Sequence, residues 1–181
     1  MAVTTPDDPP PARERMPAAL IATLITIPVM VIVGFIAFAA LRSADDGEVS
    51  TPIDAFATTS STTADCADFL AALPTRFDGF GSKQISAGAA RWAGADVGDP
   101  ILVRCGVQRP GGLSPTSALH VVNGIQWLIT DTVDGRGNAY VCVDHRPYVA
   151  LWAPISSGNA ATVDVSAAIG TVLTSGPLDF G

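Results

Sequence analysis

The sequence predicts an α+β domain: a small antiparallel sheet of two hairpins plus an extra strand, flanked by helices and preceded by one transmembrane helix and a disordered linker. Three observations carry this. Residues 18–41 are 24 consecutive residues without a charge. As a helix rising about 1.5 Å per residue they span about 36 Å, enough for a hydrocarbon core of about 30 Å. Residues 101–107 alternate Ile101, Val103, Cys105 and Val107 against Leu102, Arg104 and Gly106, the period-two pattern of a strand with one buried face. Asn123-Gly124 stands between two apolar runs and supplies the positive φ angles of a two-residue type I′ hairpin turn.

The elements follow in chain order. Residues 1–16, with Pro6, Pro9, Pro10 and Pro11 among acids, bury too little apolar surface to fold and form a disordered tail. The span covers 17–42. Arg13 and Arg15 precede it against Arg42 after it, so the N-terminus stays cytoplasmic and the rest faces outward. A cleaved secretory signal is the rival reading; signal cores run about 7 to 15 residues, shorter than this run, although a small-residue pattern at 41–44 leaves cleavage open. Residues 43–64, rich in Ser, Thr and acids, form a flexible linker. Residues 65–181 form one extracytoplasmic domain.

Within that domain Asp65 caps a short helix with Cys66, Phe69, Leu70 and Leu73 on one face, and Pro74 stops it. A Gly-rich irregular stretch follows through Phe77, Phe80 and Trp92, and then the 101–107 strand. The first hairpin is 119–122 with 125–129; the second is 139–143 with 148–153, joined through Asp144-His145-Arg146-Pro147. Asp131 to Asn138 connects the two. Val165, Ala168, Ile169 and Val172 lie at helical spacing, with Gly176-Pro177 beyond as a stop. Strands in the middle with helices at both ends suggest a sheet covered on one side.

Three cysteines in an outward-facing domain allow three pairings and leave one thiol over. The favoured disulfide joins Cys66 to Cys105, each on the apolar face of its element. Cys142 shares a strand face with Tyr140 and Asp144, the wetter face, and is left as a partly exposed free thiol available to a partner; three buried free cysteines are the alternative.

The run from Cys66 to about Val172 resembles the actinobacterial family called domain of unknown function 3515. The resemblance is carried by Cys66 with Leu73-Pro74, by Val103-Arg104-Cys105-Gly106-Val107 before Pro110, by Val122-Asn123-Gly124-Ile125-Gln126-Trp127, and by Arg146-Pro147-Tyr148-Val149 ahead of Pro154. The segment after Trp92 departs, with extra residues between Trp92-Ala93-Gly94 and Pro100. The resemblance implies an envelope-located domain with no established reaction and brings no catalytic residues.

Composition excludes some functions. Residues 65–181 hold ten acids against seven bases with no basic cluster, which argues against nucleic acid or an anionic lipid surface as partner. No GxSxG, Walker, HExxH, CxxC or GxGxxG motif is present, so no catalytic residue, metal ligand or cofactor is assigned. Asp131, Asp134 and Asn138 are oxygen donors without the spacing of a twelve-residue calcium loop. Trp92, Trp127, Trp152 and Tyr140 either pack the core or line a binding surface for a glycan, lipid or peptide. If Leu128 and Val122 point inward, Trp127 needs a covering helix or a ligand on the opposite face.

Two functions are compatible with this reading. The first is a noncatalytic envelope module on a tether, binding another envelope protein or a wall component through a groove without convergent ionisable side chains. The second is a hydrolase or metal-assisted enzyme using His145, Asp144 and His120, in which His145, with Cys142 or Asp144 nearby, anchors a base or metal site. It requires those side chains to converge in one cleft.

Overall fold

The structure, a computed structural model, describes residues 30–32, 50–59, 63–95 and 98–181. The chain divides into two units, Met1–Glu48 and Val49–Gly181. Of the first unit, Met30, Val31 and Ile32 are helical and exposed. The remainder of the expected span, the 1–16 tail and the linker up to residue 49 lie outside the described residues. Among the described residues no helix is long and apolar enough to cross a membrane.

The second unit is built on a seven-stranded, wholly antiparallel sheet in the order β1-β2-β3-β8-β6-β5-β4. The strands are β1 (Gln84–Ser86), β2 (Ala89–Trp92), β3 (Ile101–Cys105), β4 (His120–Val122), β5 (Ile125–Val133), β6 (Gly137–Cys142) and β8 (Val149–Pro154). A separate ribbon pairs β7 (His145–Arg146) with β9 (Thr174–Ser175). The β4–β5 hairpin turns at Asn123 and Gly124, with φ of 51° and 83°, as the type I′ geometry demands. The expectation of two separate hairpins linked by 131–138 is corrected. β5 continues to Val133 and turns directly into β6, so β4, β5, β6 and β8 form one meander. β1 and β2 also occupy part of the stretch read as irregular.

Helix α1 (Ala64–Ala72) and helix α2 (Ala160–Val172) cover one face. From α1, Cys66, Phe69 and Leu70 join Val165, Ala168 and Ile169 of α2 against Trp92, Val103, Trp127, Cys142 and Leu151. The cap of α1 is Thr63, whose side chain accepts from the Cys66 N–H, two residues before the expected Asp65. Its other end is closed by Lys83, whose ammonium donates to the carbonyls of Leu70, Ala71 and Leu73 at 2.9, 2.9 and 2.6 Å. A cation there satisfies carbonyls the helix leaves open and complements the helix dipole.

The opposite face is covered as well, which corrects the one-sided sheet and the linker boundary at residue 64. Residues 50–59 lie across it: Pro52–Ala55 form a 3₁₀ turn, Ile53 is fully buried with Leu102, Leu128, Val141 and Trp152, and Thr58 bridges to Val107. That turn is held at its start by Asp54, whose Oδ2 accepts from both the Thr51 N–H and the Thr51 hydroxyl at 2.7 and 3.0 Å. Arg104, expected on an open strand face, donates instead to the carbonyls of Ile53 and Asp54. Accordingly β3 is buried on both faces at Ile101, Leu102 and Val103.

Cys66 and Cys105 form the disulfide, with Cα atoms 5.6 Å apart and a sequence separation of 39, joining α1 to β3. In the chain-entropy account a loop of this size is worth about 4 kcal/mol. Replacing both cysteines by serine is expected to lower unfolding free energy by about that amount, read as a drop in the denaturant midpoint. A second prediction concerns Gly137, where a Cβ would collide with the Ala153 carbonyl oxygen and stand 2.7 Å from Pro154 Cα. Because the obstacle is backbone, Gly137→Ala is expected to destabilise by about 1–3 kcal/mol, measured by the same denaturation.

Candidate functional site

Three of the chemistry-bearing side chains singled out from the sequence meet at the end of β6. Beyond Cys142 the chain turns through Val143 and Asp144 into β7. There the backbone is tied twice: the Val143 N–H donates to the Gln126 carbonyl, and the Gly176 N–H donates to the Asp144 carbonyl. Asp144 and His145 are about nine-tenths buried and Cys142 is fully buried.

The Asp144 carboxylate is the hub. Its Oδ1 accepts from the Cys142 thiol at 3.4 Å and from His145 Nδ1 at 2.9 Å, and its Oδ2 accepts from the Gln126 N–H at 3.0 Å. Three donors satisfy a carboxylate that would otherwise be costly to bury. Burial pushes the Cys142 thiol pKa up, and the neighbouring carboxylate pushes it further, so the sulfur is held as a thiol and not as a nucleophilic thiolate. Among the described residues this is the grouping of three ligating side chains whose donor atoms all lie within 4.8 Å. Asp131 and Asp134, by contrast, are exposed in the β5–β6 turn region.

His120 does not join this cluster. It pairs with Trp127, which pairs with Cys142, so two strand spacings, about 10 Å, separate His120 from Cys142. His120 is exposed on β4 and borders a hollow of about 230 Å³ between the sheet and α2, with Tyr140 and Thr162 on its walls. The single cleft containing His145, Asp144 and His120 is not formed.

Two further sequence expectations are corrected by burial. Cys142 does not lie on a wet face, because α2 and α1 cover that side of the sheet. Trp92, Trp127 and Trp152 are fully buried and present no binding surface; Tyr140 is half-buried. Trp127 has its covering helix, its indole N–H donating to Ser166 Oγ of α2 at 2.9 Å, while Trp92 donates to the Pro74 carbonyl and packs edge-on to Phe77.

What the sequence reading missed is a groove on the other face. It measures about 470 Å³ and lies between residues 55–57, residues 108–112 and the middle of β5, with Leu128 and Val141 on its floor and Ile129 and Thr130 along one side. Of the residues lining it, Arg109 alone is charged. The reason for the opening is topological. β4 pairs with β5 at Ile125, Gln126 and Trp127 and then ends, whereas β5 runs on to Val133. The Gln126 N–H and carbonyl are both engaged on the β6 side. By alternation Ile129 therefore turns its backbone groups toward the β4 side, where no strand faces it among the described residues. A short outer strand beside a longer inner one was not readable from hydropathy, since 125–133 is one continuous β-type run.

The burial of Cys142 has a direct consequence. A membrane-impermeant thiol reagent is expected to leave the native protein unlabelled, to label one thiol after denaturation, and three after denaturation with reduction, counted by intact mass.

No curated protein and no solved structure matches the chain. The family model described as "Protein of unknown function (DUF3515)" matches residues 25–178, a stretch that takes in the disulfide, the Asp144 cluster and the groove, and the chain belongs to that family.

Proposed function

We propose that the protein is a membrane-anchored, noncatalytic binding module of the cell envelope, which takes an extended segment of another envelope protein into the groove beside β5. The observation that carries the reading is the outer edge of β5 from Ile129 onward, which no strand covers among the described residues and which opens into a groove with an apolar floor. An unpaired strand edge offers backbone donors and acceptors that an extended polypeptide satisfies, with alternate side chains filling adjoining pockets. The lining brings no set of ionisable side chains together, so it provides binding without acid–base chemistry. Arg109 supplies selectivity. Its guanidinium is held loosely by Asp179, with Nε 3.9 Å from Oδ2, and a carboxylate on the incoming segment would compete for it.

The anchoring and the address rest on the sequence. The uncharged run 18–41 has the length of a span, two arginines precede it against one after it, and a disulfide suits an oxidising compartment outside the membrane.

The test is a photo-crosslinking residue placed at Thr130 of the full chain in native membranes, with the same residue at exposed Thr171 on α2 as control. A polypeptide adduct specific to Thr130, and reduced at least several-fold by Arg109→Glu, is expected. A non-protein adduct at Thr130 would replace the protein partner with a wall component. Equal adducts at both positions, or none at Thr130, would overturn the reading.

A further inference from the structure

The geometry points to a site for one zinc-like divalent cation, ligated by Cys142 Sγ, Asp144 Oδ1 and His145 Nδ1, at the end of β6. This is independent of the groove, whose floor belongs to the other face of the sheet.

The donor set is the first argument. Thiolate, carboxylate and imidazole together suit a borderline-soft ion of the zinc class and do not suit magnesium or calcium, which take oxygen. Spacing is the second. Around a tetrahedral ion with zinc-type bond lengths the donor atoms stand about 3.3–3.6 Å apart. Sγ and Oδ1 are already 3.4 Å apart, Nδ1 and Oδ1 2.9 Å, and all three atoms lie within 4.8 Å. Side-chain adjustments of about 1 Å or less bring them to an ion.

Charge is the third argument. A divalent cation with one thiolate, one carboxylate and a neutral imidazole makes a cluster of zero net charge, which a nearly buried position tolerates. On binding, the Cys142 S–H bond breaks and its proton leaves to solvent as the metal–sulfur bond forms. His145, which donates its Nδ1 proton to Asp144 in the metal-free form, loses that proton to solvent as Nε2 takes one up, and this tautomer presents the Nδ1 lone pair. The supporting shell is in place: the Gln126 N–H holds Asp144 Oδ2, and pairing of β7 with β9 fixes the His145 backbone, the outer contacts that orient metal ligands. Three protein donors leave a fourth position. The Asp144 and His145 side chains are each 11% exposed, so water or a partner's donor can reach it. Without metal the same atoms satisfy one another by hydrogen bonds, and the site closes.

The experiment is titration of the detergent-solubilised full chain with Co²⁺ alone, followed by Zn²⁺ competition. One equivalent of cobalt with a thiolate-to-metal charge-transfer absorption is expected, displaced by zinc, lost in Cys142→Ser and retained in His120→Ala. Because Cys66 and Cys105 are oxidised, that absorption reports Cys142. X-ray absorption of the zinc-loaded native chain needs no variant, and should show one sulfur among nitrogen and oxygen neighbours. No charge-transfer band, a band unchanged by Cys142→Ser, or a zinc shell lacking sulfur would overturn the assignment, whatever the crosslinking at Thr130 shows.

Discussion

The six residues of β8, Val149 to Pro154, are all buried, and the rest of the domain is arranged around the need to cover this strand on both sides. A strand with one wet face needs one layer against it; a central strand reading Val-Ala-Leu-Trp-Ala-Pro needs two. Leu151 and Val149 face the helices, whereas Trp152 and Ala150 face the layer made by residues 50–59 and the loop after β3. Trp152 shows how far this burial goes: its indole N–H has no hydrogen-bond partner among the described residues, and the Arg136 guanidinium sits 5.7 Å over its ring while donating to Asp99.

The two covers are secured by different means. On the helix side the disulfide joins α1 to β3, and Lys83 closes the end of α1 by taking three carbonyls at once. The other cover has no helix long enough to hold itself. It depends on the Thr51–Asp54 cap and on Arg104 reaching through β3's outer face to the carbonyls of residues 53 and 54. This second layer is thin and made of chain without regular pairing, and there the groove beside β5 opens.

The polar features divide along the same line. The Asp144 cluster sits on the sealed side, where each donor is matched and a thiol is kept protonated unless an ion takes its place. The groove is on the thin side, apolar in its floor and edged by one arginine and by the part of β5 whose outer side no strand faces among the described residues. The cluster and the groove thus lie on opposite faces of the sheet, and a molecule in the groove would not touch Cys142.

Local patterning by itself determined the elements whose signals are local: the Asn123-Gly124 turn, the 101–107 alternation and the helical spacing from Val165; it favoured the Cys66–Cys105 pairing, from two cysteines on apolar faces, over the other pairings, and the structure forms it. It also raised the choice for Trp127 between a covering helix and a ligand. Only the tertiary structure decided the faces. Cys142 alternates with Val141 and Val143 as a wet residue would, but α1 and α2 lie on its side, and alternation carries polarity information only when one face is solvated. Residues 50–59 read as tether because Ser, Thr and Ala dominate their neighbourhood, while Ile53 inserted against β3, β5 and β8, with Phe56 and the Thr58–Val107 bridge, secures them to the sheet. The convergence of Cys142, Asp144 and His145, and the early end of β4 against β5, arise from register and strand length. Hydrogen bonds between segments far apart in the chain set both, and no window of sequence contains them.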